Sequence, residues 1–298
     1  LEGWITLTAL AQATTRLRVG VLVTGIHYRH PAVLANMASA LDIVSNGRLE
    51  LGIGAGWNEE ESGAYGIELG SIKERFDRFE EACQVLKGLL SQETTTFDGR
   101  FYQLKDARNE PKGPQQPHPP IWMAAGNPDS IRKVARRGAK LMLDQLASTQ
   151  LAIDRFNIYK AEVEACGRKF DPMDVAVSRA FYVAKNDEDK KKAVEARLAN
   201  QTRLAKLSQT PGGDSKSSML SFDQTLDAAA ESAMFGTPDE IAVKLSRLRA
   251  AGVEHVLLTG PAGSRENLRA FAKDIMPAFS GPAPKPAAAR AQPQLVNS

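Results

Sequence analysis

The chain is short of cysteine. Cys83 and Cys166 are the only two in 298 residues. They lie far apart, each inside a helical pattern, which excludes a disulfide framework and points to a reducing, cytoplasmic compartment. Charge of one sign is lacking too: 38 basic against 35 acidic residues leave +3, too even a balance for the clustered basic face that nucleic acid requires. No apolar run approaches the roughly 18 residues of a membrane span. The four histidines and the carboxylates show no metal-ligand spacing, so no metal site is assigned. The dinucleotide-binding fingerprint lacks its third glycine. After Gly52-x-Gly54 and Gly54-x-Gly56, Trp57 and Glu59 stand where it belongs, which excludes that motif.

What is present is a sizeable apolar fraction, 43%, enough for a large core. The length suits two domains or one α/β barrel, which commonly runs to about 250 residues. The stretch Leu49-Glu50-Leu51-Gly52-Ile53-Gly54-Ala55-Gly56-Trp57 reads as a buried strand entering a glycine-rich turn. Without a Cβ, glycine lets backbone pass close to a flat or phosphorylated ligand. A tight strand-to-helix turn with no ligand reads the same way, and the stretch alone does not decide between them.

Six β-rich runs punctuate the chain, near residues 18, 49, 121, 140, 175 and 254, each followed by helical periodicity. Continuous apolar strands alternating with helices predict parallel pairing with the helices packed outside. Helices are expected from Trp4 to Thr14, Pro31 to Ser45, Ser71 to about Leu90, Pro128 to Arg137, Leu151 to Ala165, Asp187 to Lys206, Thr237 to Ala251 and Arg265 to Phe279. Ser71-Ile72-Lys73-Glu74 and Thr237-Pro238-Asp239-Glu240 are capping boxes, in which hydroxyl and carboxylate satisfy helix-end amides reciprocally. Asp98-Gly99 between two β-prone runs predicts a hairpin with a type I′ turn. Ser208–Ser221 reads as a mobile loop, and residues 281–298, rich in Pro and Ala, as a disordered tail.

Six strands suit an open doubly wound sheet or a barrel of eight. The chain opens Leu1-Glu2-Gly3-Trp4 directly into a helical pattern. Two further βα units are therefore expected upstream, and the fold class is taken as an α/β, (β/α)8 barrel whose first two strands are missing from this chain, over residues 1–280. Cys83 falls on the apolar stripe of its helix and is read as packing. His27 and His30 are candidates to face substrate, whereas His118 and His255 are read as structural or solvated. Glu59, Glu60 and Glu61 are read as a solvated helix start.

The runs Arg18-Val19-Gly20, Tyr28-Arg29-His30-Pro31 and Leu41 through Trp57 resemble the bacterial luciferase-like monooxygenase family. Ile121-Trp122-Met123-Ala124-Ala125-Gly126, Gly236-Thr237-Pro238-Asp239-Glu240 and Asp274-Ile275-Met276-Pro277 match its later landmarks, so the resemblance extends to about Phe279. It implies a barrel that binds reduced flavin mononucleotide (FMN) or, in sister branches, the deazaflavin coenzyme F420. In this family the ring lies near the ends of the first strands seen here. On that resemblance Leu22, Val23 and Thr24, with a non-prolyl cis peptide expected within Val21–Thr24, and Gly54, Ala55, Gly56 and Trp57 are cofactor-binding candidates. The three glycines at 52, 54 and 56 are expected to serve close approach to the ring.

The phosphate is expected after the Ile121–Ala125 strand, at Ala125, Gly126 and Ser130, where the free amides and positive end of the next helix suit an anion. Asp129 would repel it unless turned to solvent. The resemblance further implies an oxidoreductase that uses reduced FMN and oxygen to oxidise a small organic substrate, with a separate flavin reductase as partner and a homo-oligomeric assembly. Ser208–Ser221 is the expected lid. Alternatives are an F420-dependent hydride-transfer enzyme, or a non-catalytic flavin-binding relative or inactive fragment. The family's catalytic polar residues often come from the first two strands, so no catalytic residue is assigned.

Overall fold

The computed structural model of the chain describes residues 1–207, 223–260 and 264–281. The Ser208–Ser221 loop and lid, and all of the expected tail beyond Gly281, lie outside the described residues.

Helix α1 (Gly3–Gln12) leads into the paired segments β1 (Val19–Gly20) and β2 (Thr24–Gly25), then α2 (Pro31–Val44) and β3 (Leu49–Gly54). The strand expected over residues 18–24 is therefore interrupted. A cis peptide at Leu22–Val23 lies in the gap between the two segments, inside the span where the resemblance placed one. A short α3 (Glu59–Ala64), beginning at the expected acidic helix start, precedes α4 (Ile72–Ser91). The Ser71/Glu74 capping box is formed at the start of α4.

The hairpin β4 (Thr95–Asp98) and β5 (Gln103–Ala107) departs from expectation. Asp98 pairs with Gln103, so the loop spans residues 99–102, and Gly99 does not take the left-handed conformation of a type I′ turn. The cause is tertiary. The Glu81 carboxylate on α4 accepts hydrogen bonds from the amides of Arg100 (2.9 Å), Phe101 (2.8 Å) and Tyr102 (3.1 Å), and three charge-assisted bonds outweigh a local turn preference.

The rest alternates regularly. It runs β6 (Ile121–Ala124), α5 (Pro128–Arg137), β7 (Lys140–Leu143), α6 (Thr149–Ala165), β8 (Val175–Val183), α7 (Asp187–Leu207), α8 (Leu226–Glu231), β9 (Met234–Gly236), α9 (Pro238–Ala250), β10 (His255–Thr259) and α10 (Arg265–Ala270). Asn127 caps α5 with Pro128 in its first turn, and Gly138 ends it at φ 74°, as the sequence predicts. The second capping box forms at Thr237/Glu240. The last helix is shorter than expected: beyond Ala270 it widens to a π turn over Phe271–Ile275 and tightens to a 3-10 turn over Met276–Phe279. Pro277 has no amide to continue the α ladder.

The parallel sheet runs β1-β3-β6-β7-β8-β10, with β2 also on β3 and β9 also on β8. Six strand positions form a curled arc of a (β/α)8 barrel, two short of closure. Among the described residues nothing pairs with the outer edges of β1 or β10, and every residue of β10 is only half-buried. On the outer face Leu49, Leu51, Ile53, Leu141, Leu143, Val175 and Val177 join one core with the helices. Burying each such side chain stabilises by about 1.5–3 kcal/mol. The concave face carries a separate cluster of Trp122, Met142 and Ala176, with Val23 and Leu257 against it.

Candidate functional site

Parallel barrels work at the C-terminal ends of their strands. The opposite, N-terminal end is closed here by structural contacts. Glu50 accepts from Trp122 Nε1 at 2.6 Å and pairs with Arg18, while His255 meets the Trp122 ring edge-on at 5.4 Å. His118 Nδ1 lies 2.8 Å from the carbonyl of its neighbour Pro119.

At the C-terminal end the structure brings Leu22, Val23, Gly54, Ala55, Gly56 and Trp57 onto two adjacent strand ends, joined by Thr24↔Ile53 and Gly25↔Gly54 pairing. Leu22 is 51% and Trp57 41% exposed, so both side chains are free at the mouth. Thr24 is placed differently. Its hydroxyl accepts from Trp4 Nε1 at 3.1 Å and is buried, so only its backbone remains on the mouth side.

The glycines are explained by protein neighbours. A Cβ on Gly52 would lie 2.2 Å from the Val21 carbonyl oxygen, and one on Gly54 would lie 2.8 Å from Val23 Cγ2. Gly56 has φ +91°, and a Cβ there would meet the His27 ring at 2.4 Å. These bare faces let the cis-peptide segment and an imidazole pack against β3. The expectation that all three serve a ring directly is thus replaced, for these faces, by packing within the protein.

His27 packs against this turn at Gly56. Its Nε2 lies 3.2 Å from Ser62 Oγ, its ring lies tilted at 40° against that of Tyr28 with centroids 3.9 Å apart, and among the described residues its buried Nδ1 has no partner. Burial, reinforced by the Arg75 and Arg78 charges, pushes its pKa down to about 4, so the imidazole is neutral at physiological pH. His30 is instead the cap of α2, accepting from the Ala32 amide at 3.1 Å.

The second part of the mouth lies at β6 and β7. Ala125 donates to the Met142 carbonyl at 3.3 Å, and Gly126 follows it into the cap of α5. The Ser130 amide is taken by Asn127 Oδ1 at 2.9 Å, and Pro128 has no amide. Among the described residues nothing occupies the amides of Gly126, Asn127 or Asp129. Asp129 turns to solvent and pairs with Arg132 at 3.1 Å, which removes the repulsion that its carboxylate threatened. The turn therefore fits an anionic group, through three free amides and the Ser130 hydroxyl.

Sequence reading missed the cations that hold this rim. Arg179, fully buried on β8, donates from Nη1 to the Asp144 carbonyl at 3.2 Å and from Nη2 to the Ser148 carbonyl at 3.4 Å. Arg197 on α7 donates to the Gln145 carbonyl at 2.6 Å. Burial pushes both guanidinium pKa values down to about 10, so both stay charged. The only sequence signal for Arg179 is an arginine inside the otherwise uncharged run Val175–Val183. Gln145 Oε1 in turn accepts from Thr259 at 3.1 Å, tying the rim to the end of β10. No group of three or more His, Cys, Asp or Glu among the described residues is placed to hold a metal ion. No described helix is long and apolar enough to cross a membrane.

The luciferase-like monooxygenase family model matches residues 1–255. The chain belongs to this family. It is 27% identical over 275 residues to an F420-dependent glucose-6-phosphate dehydrogenase of Amycolatopsis mediterranei, covering 90% of this chain and 81% of that protein. It is 25% identical over 282 residues to an FMNH(2)-dependent dimethylsulfone monooxygenase of Pseudomonas putida, covering 90% and 76%. Among solved structures it resembles monooxygenase RslO1 from Streptomyces bottropensis, with TM-score 0.78, 26% identity, and 94% and 83% of the two chains covered. Its relatives thus include both flavin-dependent monooxygenases and F420-dependent dehydrogenases, and the family is one of flavin and deazaflavin oxidoreductases.

Proposed function

We propose that this protein is a flavin-dependent monooxygenase that uses reduced FMN and molecular oxygen to oxidise a small organic substrate. The observation that carries the reading is the apolar concave face beside the cis Leu22–Val23 segment, where Val23, Met142, Ala176 and Leu257 form one cluster with Trp122 at its closed end. A bound reduced flavin supplies the electrons and activates oxygen; the protein positions it and keeps water away. In this reading Leu22, Val23 and the Thr24 backbone present one edge of the ring site, and Gly54, Ala55 and Gly56 shape the other. Trp57 offers an exposed aromatic face for stacking on cofactor or substrate. Ala125, Gly126 and Ser130 take the phosphate. His27, neutral under the Gly56 turn, fixes that turn without adding charge. A separate flavin reductase supplies the reduced cofactor.

The similarity to the F420-dependent dehydrogenase supports a second reading, hydride transfer with reduced or oxidised F420 in the same mouth. Loading the chain anaerobically with reduced FMN, then adding isotopically labelled oxygen and a panel of small organic substrates, separates the two. Label in the product supports the monooxygenase. Turnover with F420 and none with FMN supports the second reading. Flavin binding without any turnover points to a non-catalytic relative.

A further inference from the structure

The turn at Gly126 carries less anion-binding capacity than its helix end suggests. Of the first three positions of α5, Pro128 has no amide and the Ser130 amide is already capped. A phosphate there needs a cation, and Asp129 and Arg132 pair with each other in solvent.

Arg155 supplies it. This residue, in the second turn of α6, is 8% exposed and among the described residues makes a single hydrogen bond, from Nη1 to Asp144 Oδ2 at 2.9 Å. Its Nε is buried without a partner. Its Nη2 lies 3.3 Å from where a Cβ on Gly126 would sit, and Asp144 Oδ2 lies 3.6 Å from the same point. The guanidinium thus packs on the bare face of Gly126, with most of its donors unused. Asp144 is itself fixed, since its Oδ1 accepts from the amides of Leu146 (2.8 Å) and Ala147 (3.0 Å). A buried donor left unbonded, here Nε, is costly unless a partner completes it.

Charge points the same way. Asp144 also faces the buried Arg179, which feels the charges of both Asp144 and Arg155. One carboxylate therefore stands between two buried guanidiniums. The other acid near Arg179, Glu231, is engaged by Arg247 at 3.6 Å. This end of the mouth holds an excess positive charge beside three free amides.

We infer that Arg155, held by Asp144 behind Gly126, is the residue that recognises the cofactor phosphate, a monoester in FMN or a diester in F420. This rests on the proposed flavin or deazaflavin reading and adds the charged group that selects phosphorylated over unphosphorylated cofactor. A Cβ on Gly126 would sit in tight contact with the guanidinium edge, 3.3 Å from Nη2.

The test compares dissociation constants for FMN against riboflavin, and for F420 against its chromophore lacking the phosphate, by fluorescence titration of the full chain. The wild type is expected to prefer the phosphorylated member of at least one pair. Arg155→Met is expected to reduce that preference by about 10- to 100-fold, as loss of a charge-assisted contact would, leaving affinity for the unphosphorylated member unchanged. Arg155→Lys is expected to keep part of the preference, now more sensitive to salt. Asp144→Asn with Arg155→Met leaves no unpaired carboxylate and serves if the single variant folds poorly. Equal loss for both members of a pair, or an unchanged preference in both variants, overturns the assignment while leaving the cofactor reading standing. A folded wild type that binds none of the four compounds overturns both.

Discussion

The Val23 side chain occupies the space a Cβ would need at Gly54: Cγ2 lies 2.8 Å from that position. Val23 follows the cis bond and also packs on the concave Trp122 cluster, so the glycine turn and the apolar wall share one contact. Gly54→Ala is expected to destabilise by about 1–3 kcal/mol through overpacking. Val23→Ala in the same chain should recover part of that loss, because the added methyl then has room. Thermal unfolding of the two single variants and the double variant checks this; simple additivity would contradict it.

His27 makes stability depend on acid. Its folded-state pKa lies at about 4, below the ordinary 6.5, and burial lowers that of His255 as well. Unfolded chains therefore bind more protons in this range, and stability falls as pH drops from 6.5 towards 4. The slope fades over about one unit above 6.5, as the unfolded imidazoles themselves lose their protons. Urea unfolding across that window is expected to show a shallower pH slope in His27→Gln than in the wild type.

Arg48 ties α1 to the sheet. Its guanidinium donates to the carbonyls of Ala11 (2.7 Å), Thr14 (2.9 Å) and Leu17 (2.6 Å), and its Nε to Ser45 (2.6 Å). Arg48→Ala is expected to cost about 2–4 kcal/mol, since several acceptors lose a charged donor together. Hydrogen exchange should accelerate first in Gly3–Gln12. Uniform acceleration across the sheet would contradict a local tie.

The two thiols should differ sharply. Burial pushes the Cys83 thiol up to about 12, whereas Cys166 is exposed. An alkylating reagent at neutral pH is expected to modify one thiol per native chain, Cys166, and both in denaturant. Early modification of Cys83 would contradict its packing against the core.

The barrel was legible because its signals are local. Most apolar runs, Asn127-Pro128 at a helix start, Gly138 at its end and both capping boxes act within a few residues and appear where expected; the run over 18–24 is the exception, broken into two short segments. The hairpin loop was not legible, because Glu81 binds it from 20 residues away in sequence and overrides the Asp98-Gly99 preference. The mouth was legible in part. The glycines mark it, but what fills their bare faces, Val21, Val23 and His27, depends on how strands meet. Arg155, Arg179 and Arg197 were invisible for the same reason: a lone arginine in a helix or strand says nothing of its partner until the rim is folded.

The most direct measurement is an anaerobic equilibrium titration of the folded chain with reduced FMN, followed by fluorescence. The account predicts saturable one-to-one binding, weakened when Gly54 or Arg155 is substituted. A chain with native circular dichroism that binds neither reduced FMN nor reduced F420 would contradict it.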